Sequence, residues 1–185
     1  KLFSAALALD VLGPDRRFET AVQVTGEGPA VSDLMIRGGG DPALKSRDLA
    51  GLARCVAEAG ILSASRILLD TGPFNHEDLP PAFGSRSTQA GYRAGIAGLQ
   101  VDGNVVVVSV TRGPPGKPAR VDVSPASDYV RVVNRTRSAA PGRRGGTPLS
   151  VKTAVDGSGR LEVRVTGMAR RAKTTVVRRV DNPAW

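Results

Sequence analysis

"AVSDLMIRGGGDPALKSRDLAGLARCVAEAGILSASRILLD", residues 30–70, reads as strand, break, helix, strand. In "AVSDLMIR", Leu34 and Ile36 fall on one face of an alternating run. "GGGDP" ends that strand. Ser46 suits the N-cap of a helix, and Asp48 sits in its first turn, where the helix dipole favours a negative charge. Leu49, Leu52, Ala53, Val56 and Ala59 then recur at three- and four-residue spacing until Gly60 stops the helix. "SRILLD" is a short apolar strand ending at Asp70. This order predicts an α/β unit.

Upstream, "RFETAVQVT" (17–25) alternates as a further strand and stops at "GEG". The opening "KLFSAALALDVLGPD" (1–15) predicts a helix over 2–12 that is apolar on most sides and therefore buried. Gly13 and Pro14 terminate it. Downstream, residues 71–100 are rich in Gly, Pro, Ser and Ala without periodicity. A loop of this length in a compact domain is functional or packed on a neighbour. "NVVVVSV" (104–110) is a strand apolar enough to be covered on both faces. "RGPPGKP" (112–118) reads as a turn and a boundary. After it come five strand patterns, "ARVDVSP", "YVRVVNRT", "LSVKTAV", "LEVRVTG" and "TTVVRRV", with "DGSG" (156–159) as a hairpin connection. The fold class is α+β, organised as residues 1–14, an α/β segment over 15–110 and a basic all-β segment over 111–181.

Charge follows the same division. Residues 1–110 hold 10 Lys/Arg against 12 Asp/Glu, and residues 111–185 hold 16 against 5, within a net charge of +9. A basic β unit raises the question of nucleic acid, but Tyr129 is the only aromatic between Thr111 and Ala184, so there is no stacking platform. Attraction to an anionic surface such as a cell wall needs charge alone. No apolar run reaches the length of a transmembrane helix. One cysteine, Cys55, excludes an internal disulfide and a thiolate metal site, and its apolar helical setting predicts a buried, inert thiol. One histidine, His76, stands beside Glu77 and Asp78 in a loop, too few groups for a His-based metal site. "RGGGDP" lacks the Gly-Lys-Ser/Thr of a phosphate loop and reads as a tight turn that only glycine fits.

Taken in order, "KLFSAALALDVLGPDRRFET", "LMIRGGGDPAL", "DLAGLARCVAEAGI", "ILLDTGPF" and "NVVVVSV" resemble the class C, low-molecular-mass penicillin-binding proteins, the D-alanyl-D-alanine carboxypeptidase/endopeptidases. The match covers most of residues 1–110; "ARVDVSPASDYVRVVNRT" fits less specifically. The resemblance implies a truncated penicillin-binding serine peptidase, with an α/β insert domain followed by a small all-β insert domain. It implies that Lys1 is the lysine of the family's Ser-x-x-Lys motif, and that the chain starts just after the nucleophilic serine. That serine forms an acyl-enzyme with D-Ala-D-Ala, and the neutral lysine can take its proton. The family's Ser-x-Asn and Lys-Thr-Gly motifs are not matched: "SDL" at Ser32 and "SDY" at Ser127 lack Asn, and "KTA" at Lys152 and "KTT" at Lys173 lack Gly.

Relatives that bind a diaminopimelate side chain use a carboxylate in a Trp-rich loop shortly before an aromatic-x-Ala. Here Tyr92-Arg93-Ala94 matches the aromatic part, while the position five residues back is Ser87, with neither Trp nor Asp near it. Tyr92 and Ser87 are the implied substrate-binding positions. Asp70 matches a family aspartate, for which the residues themselves suggest a turn-forming role. The implied partners are peptidoglycan stem peptides, and β-lactams in the intact parent, in a periplasmic or other extracytoplasmic setting. No nucleic acid, metal or cofactor is implied. The reading from another class is a non-catalytic peptidoglycan- or cell-wall-binding module.

Overall fold

The computed structural model describes residues 2–72, 74, 79, 83 and 88–180. It is a mixed α+β structure of two helices and nine strands among those residues. Helix α1 spans Leu2–Leu12 and α2 spans Ser46–Glu58; the strands are β1 (Thr20–Thr25), β2 (Ala30–Gly38), β3 (Ser63–Asp70), β4 (Val105–Thr111), β5 (Arg120–Ser124), β6 (Val130–Ser138), β7 (Ser150–Val155), β8 (Leu161–Ala169) and β9 (Lys173–Arg179).

β1 and β2 form an antiparallel hairpin, and β2 continues through α2 into β3, which pairs parallel to β2. The parallel arrangement follows from charge as well as from the crossover. Asp33 and Arg37 lie four residues apart on one face of β2, and Arg66 and Asp70 lie four apart on β3 in the reverse order. Parallel pairing sets Asp33 opposite Arg66 and Arg37 opposite Asp70, each pair 2.6 Å apart. The antiparallel alternative would oppose like charges, which disfavours pairing. On the other face, α2 sets Leu49, Leu52, Ala53 and Val56 toward Val22, Leu34, Ile36 and Ala64, leaving an apolar groove of about 370 Å³. The cap of α2 differs from the sequence expectation. Lys45 is the N-cap, its N–H donating to the Asp48 carboxylate at 2.8 Å, and Ser46 is the first helical residue. Ser46 Oγ donates instead to Asp102. Cys55, expected to be buried, is exposed, because the apolar stripe of α2 passes beside it.

The core lies in the β-rich half. The sheets β5-β4-β9 and β6-β8-β7 join in one cluster containing Val106, Val108 and Val110 of β4 and Leu161, Val163 and Val165 of β8. These β4 residues alternate with half-buried ones, so one face of β4 is sealed and the other is partly covered. β4 pairs with β5 and β9, which places it with the strands that follow it. The sequence boundary at 110/111 therefore falls inside one sheet: the Gly/Pro-rich 112–118 closes the β4–β5 hairpin, and such composition serves tight connections and linkers alike. "DGSG" does connect β7 to β8, with Asp156 Oδ1 accepting from Ser158 N–H at 2.9 Å and Arg160 N–H at 3.1 Å.

Helix α1 is the largest departure. Its apolar composition predicts burial, yet none of its residues is buried, and Phe3 is 92% exposed. No described element covers it. A helix apolar all round belongs inside a larger body.

Candidate functional site

The segment 88–104 carries Tyr92, the one of the two expected substrate-binding positions that falls among the described residues. It is fastened at both ends. Gln89 stands in for a strand: Thr153 N–H donates to its Oε1 at 2.9 Å, its Nε2 donates back to Thr153 O, and its own carbonyl accepts from Arg179 N–H at 3.1 Å. Ala90 bridges to Arg178 of β9. Farther along, Gly40 N–H donates to Gly98 O at 2.7 Å, Asp102 N–H donates to Leu44 O at 2.9 Å, and the buried Asn104 side chain donates to Gly95 O at 2.9 Å. At Gly98 the backbone passes so close to β2 and the end of β3 that an added Cβ would lie 1.6 Å from Thr71 O, and one on Gly38 would lie 2.3 Å from Gly98 O. The glycines of "RGGGDP" are thus partly explained by this crossing; only Gly40, at φ +81°, needs the left-handed region.

Between these fastenings, Gly91–Arg93 forms a single 3-10 turn. Arg93 points inward and is 4% exposed. Its guanidinium lies 4.8 Å from the centroid of the Phe83 ring and donates to the Phe83 carbonyl. Gly91 sits hard against Val177 of β9, where an added Cβ would lie only 2.5 Å from Val177 Cγ1. With its neighbours anchored, Tyr92 is turned outward at 82% exposure. An aromatic phenol held out on a fixed turn can stack on, or hydrogen-bond to, a peptide laid across it. The buried arginine that orients Tyr92 was not singled out from sequence. The clue was available, since an arginine in a stretch otherwise built of Gly, Ala and Ile has few polar neighbours at hand.

Lys1 and Ser87 lie outside the described residues, as do His76, Glu77 and Asp78; the structure therefore brings no second predicted site residue to Tyr92. Asp70 is described, and its carboxylate is fully used. It accepts from Arg37 Nε at 2.6 Å and from Gly72 N–H at 2.8 Å, which hold its pKa below the ordinary 3.8. This is the turn-forming role read from its position. The Arg37–Asp70 pair forms part of the lining of an open cavity of about 820 Å³, with Arg16, Arg17 and Glu19 around it. Among the described residues no group of His, Cys, Asp and Glu could hold a metal ion, and no helix is long and apolar enough to cross a membrane.

Residues 1–185 match the model of the D-Ala-D-Ala carboxypeptidase 3 (S13) family. The chain is 35% identical over 196 residues to a D-alanyl-D-alanine carboxypeptidase of Actinomadura sp. (strain R39), a match that covers all of this chain and 36% of that protein. In structure it is similar to penicillin binding protein 4 (dacB) from Haemophilus influenzae, with a TM-score of 0.73 at 21% identity over 98% of this chain and 41% of that one. A second structure of that protein, complexed with a novel β-lactam, matches with a TM-score of 0.64 over 100% of this chain and 39% of that one. The chain thus spans little more than a third of the length of the curated relative it matches.

Proposed function

The chain belongs to the D-Ala-D-Ala carboxypeptidase 3 (S13) family, and on that premise we propose that it is the accessory part of a serine-type D-Ala-D-Ala carboxypeptidase/endopeptidase acting on peptidoglycan outside the cytoplasmic membrane. The observation that carries this reading is the family match along the whole chain, supported by the 35% identity to the Actinomadura enzyme. In a polypeptide of the relatives' length, a serine Oγ would attack the carbonyl between the two D-alanines. Its proton would pass to the neutral amine of Lys1 and then to the departing D-alanine, and water would release the acyl group. A β-lactam would acylate the same serine and stay. Tyr92 would line the cleft, and Ser87, where some relatives use a carboxylate, would leave a cationic stem side chain without its partner charge.

The 185 residues contain no Ser-x-x-Lys, Ser-x-Asn or Lys-Thr-Gly. The test is incubation with penicillin followed by intact mass and peptide mapping. In a polypeptide of the relatives' length, a single adduct is expected on a serine of a Ser-x-x-Lys motif. The 185-residue chain alone should gain no mass; stoichiometric uptake by it would overturn the assignment of the chemistry to residues outside it. Within the longer enzyme, Tyr92→Ala should raise KM for a stem peptide about tenfold, roughly the 1.4 kcal/mol that an aromatic contact can supply. The urea midpoint should stay within about 0.5 kcal/mol of the parent, because Tyr92 is exposed.

A further inference from the structure

The outer face of the β6-β8-β7 sheet concentrates positive charge that the fold does not neutralise. On β6, Arg131, Arg135 and Arg137 are exposed, and Arg135 and Arg137 flank the buried Thr136, with buried Ser138 next in line. β8 adds Glu162 and Arg164, and β7 adds Lys152. The carboxylates are used at one end: Glu162 pairs with Arg164 at 2.6 Å, and Asp156 lies 3.9 Å from Arg131. Toward the other end Arg135 and Arg137, and midway Lys152, are exposed and have no ion pair among the described residues. Lys152 stands in register with Arg164, whose guanidinium is already taken by Glu162, so Lys152 has no carboxylate opposite it. Arg135 and Arg137 stand side by side, about 6.6 Å apart along the strand. The loop beyond them, 139–149, adds Arg143 and Arg144 and no acidic residue.

We propose that this end of the sheet is a docking face for a flexible phosphodiester polyanion without bases, of the polyol-phosphate kind. Its phosphates relieve the repulsion the fold leaves in place and release counterions on binding. The chemistry of the face selects that partner. No aromatic lies on it for bases to stack on, and no exposed apolar ridge rises from it to enter a bilayer. This inference is independent of the acyl-enzyme reading, since it concerns other residues and needs no covalent step.

The experiment is fluorescence anisotropy of a labelled poly(glycerol phosphate) chain titrated with the 185-residue protein at 50, 100 and 200 mM NaCl. Circular dichroism checks that each variant is folded. Binding should weaken steeply with salt. The variant R135Q/R137Q/K152Q should bind at least tenfold more weakly at 50 mM and flatten the log–log salt slope by about 2, from about 0.7 per lost single-chain phosphate contact. The control R16Q/R47Q/R54Q removes the same charge elsewhere and should bind as the parent does. Equal losses in the two variants would show attraction to net charge alone and overturn the proposal. So would an unchanged slope in the first variant, or tighter binding to single-stranded DNA or anionic vesicles at equal phosphate.

Discussion

At Gly98 a single hydrogen atom decides whether two segments can touch. A Cβ there would overlap Thr71 O, so Gly98→Ala should lower stability by about 3 kcal/mol or more through forced backbone displacement. Gly51 sits in α2 with nothing within 4 Å, and Gly51→Ala should raise stability by about 0.8 kcal/mol through helix propensity. The opposite shifts of the two urea midpoints form one measurement. Asp33 and Asp70 are held below the ordinary 3.8 by hydrogen bonds from Arg66 and Arg37, and Asp156 by hydrogen bonds from Ser158. A carboxylate whose pKa is depressed on folding stabilises fully above its unfolded value and loses that contribution as pH falls through its folded value. The chemical-denaturation midpoint should therefore decline below about pH 3.8, and Asp70→Asn should shallow that decline while lowering the midpoint at pH 7.

The elements differ in how they are held. α1, at 11 residues and without a buried side chain, is shorter than an isolated helix needs to persist in water. Its amides should exchange with solvent at nearly free rates in the monomer, while those of β8, whose Leu161, Val163 and Val165 are fully buried, should exchange only by global unfolding. Protection of 2–12 equal to that of β8 would contradict this. Val163→Ala should cost about 2–3 kcal/mol by cavity formation. Every strand named from sequence is present: period-two alternation marks core strands such as β4 and β8, while β3 shows itself as a short apolar run. Partner choice was less legible. "NVVVVSV" identifies itself as a strand, but its neighbours β5 and β9 are set by hairpin closure and by a return of the chain after four further strands. The Asp33/Arg37 and Arg66/Asp70 complement did encode β2–β3 pairing, although it shows only when the two strands are laid side by side.

For the molecule as a whole, the described core is uneven. The continuous buried cluster belongs to β4, β7, β8 and the residues beside them, whereas the three-stranded β1-β2-β3 sheet leaves Ile67 68% exposed. Composition divided the chain by charge near residue 110 but could not show that 88–104 binds both parts. Nor could an apolar α1 say what would cover it, since hydrophobicity demands burial without naming a partner. Tyr92 was found through family resemblance. Its anchoring by Arg93 and Gln89 emerged only from the fold, because those contacts join residues as far apart in sequence as Gln89 and Arg179.

The crossing of Gly38 and Gly98 is a joint made only of peptide groups. No side chain stands between the two backbones, so no exchange of one side chain for another can lengthen or shorten it. As sequences diverge, packed interfaces creep by fractions of an ångström with each change of volume; a joint without side chains has no such adjustment. The offset between the small sheet and the Tyr92 turn is therefore fixed at this point, and a descendant can change it only by abandoning glycine and rebuilding the contact.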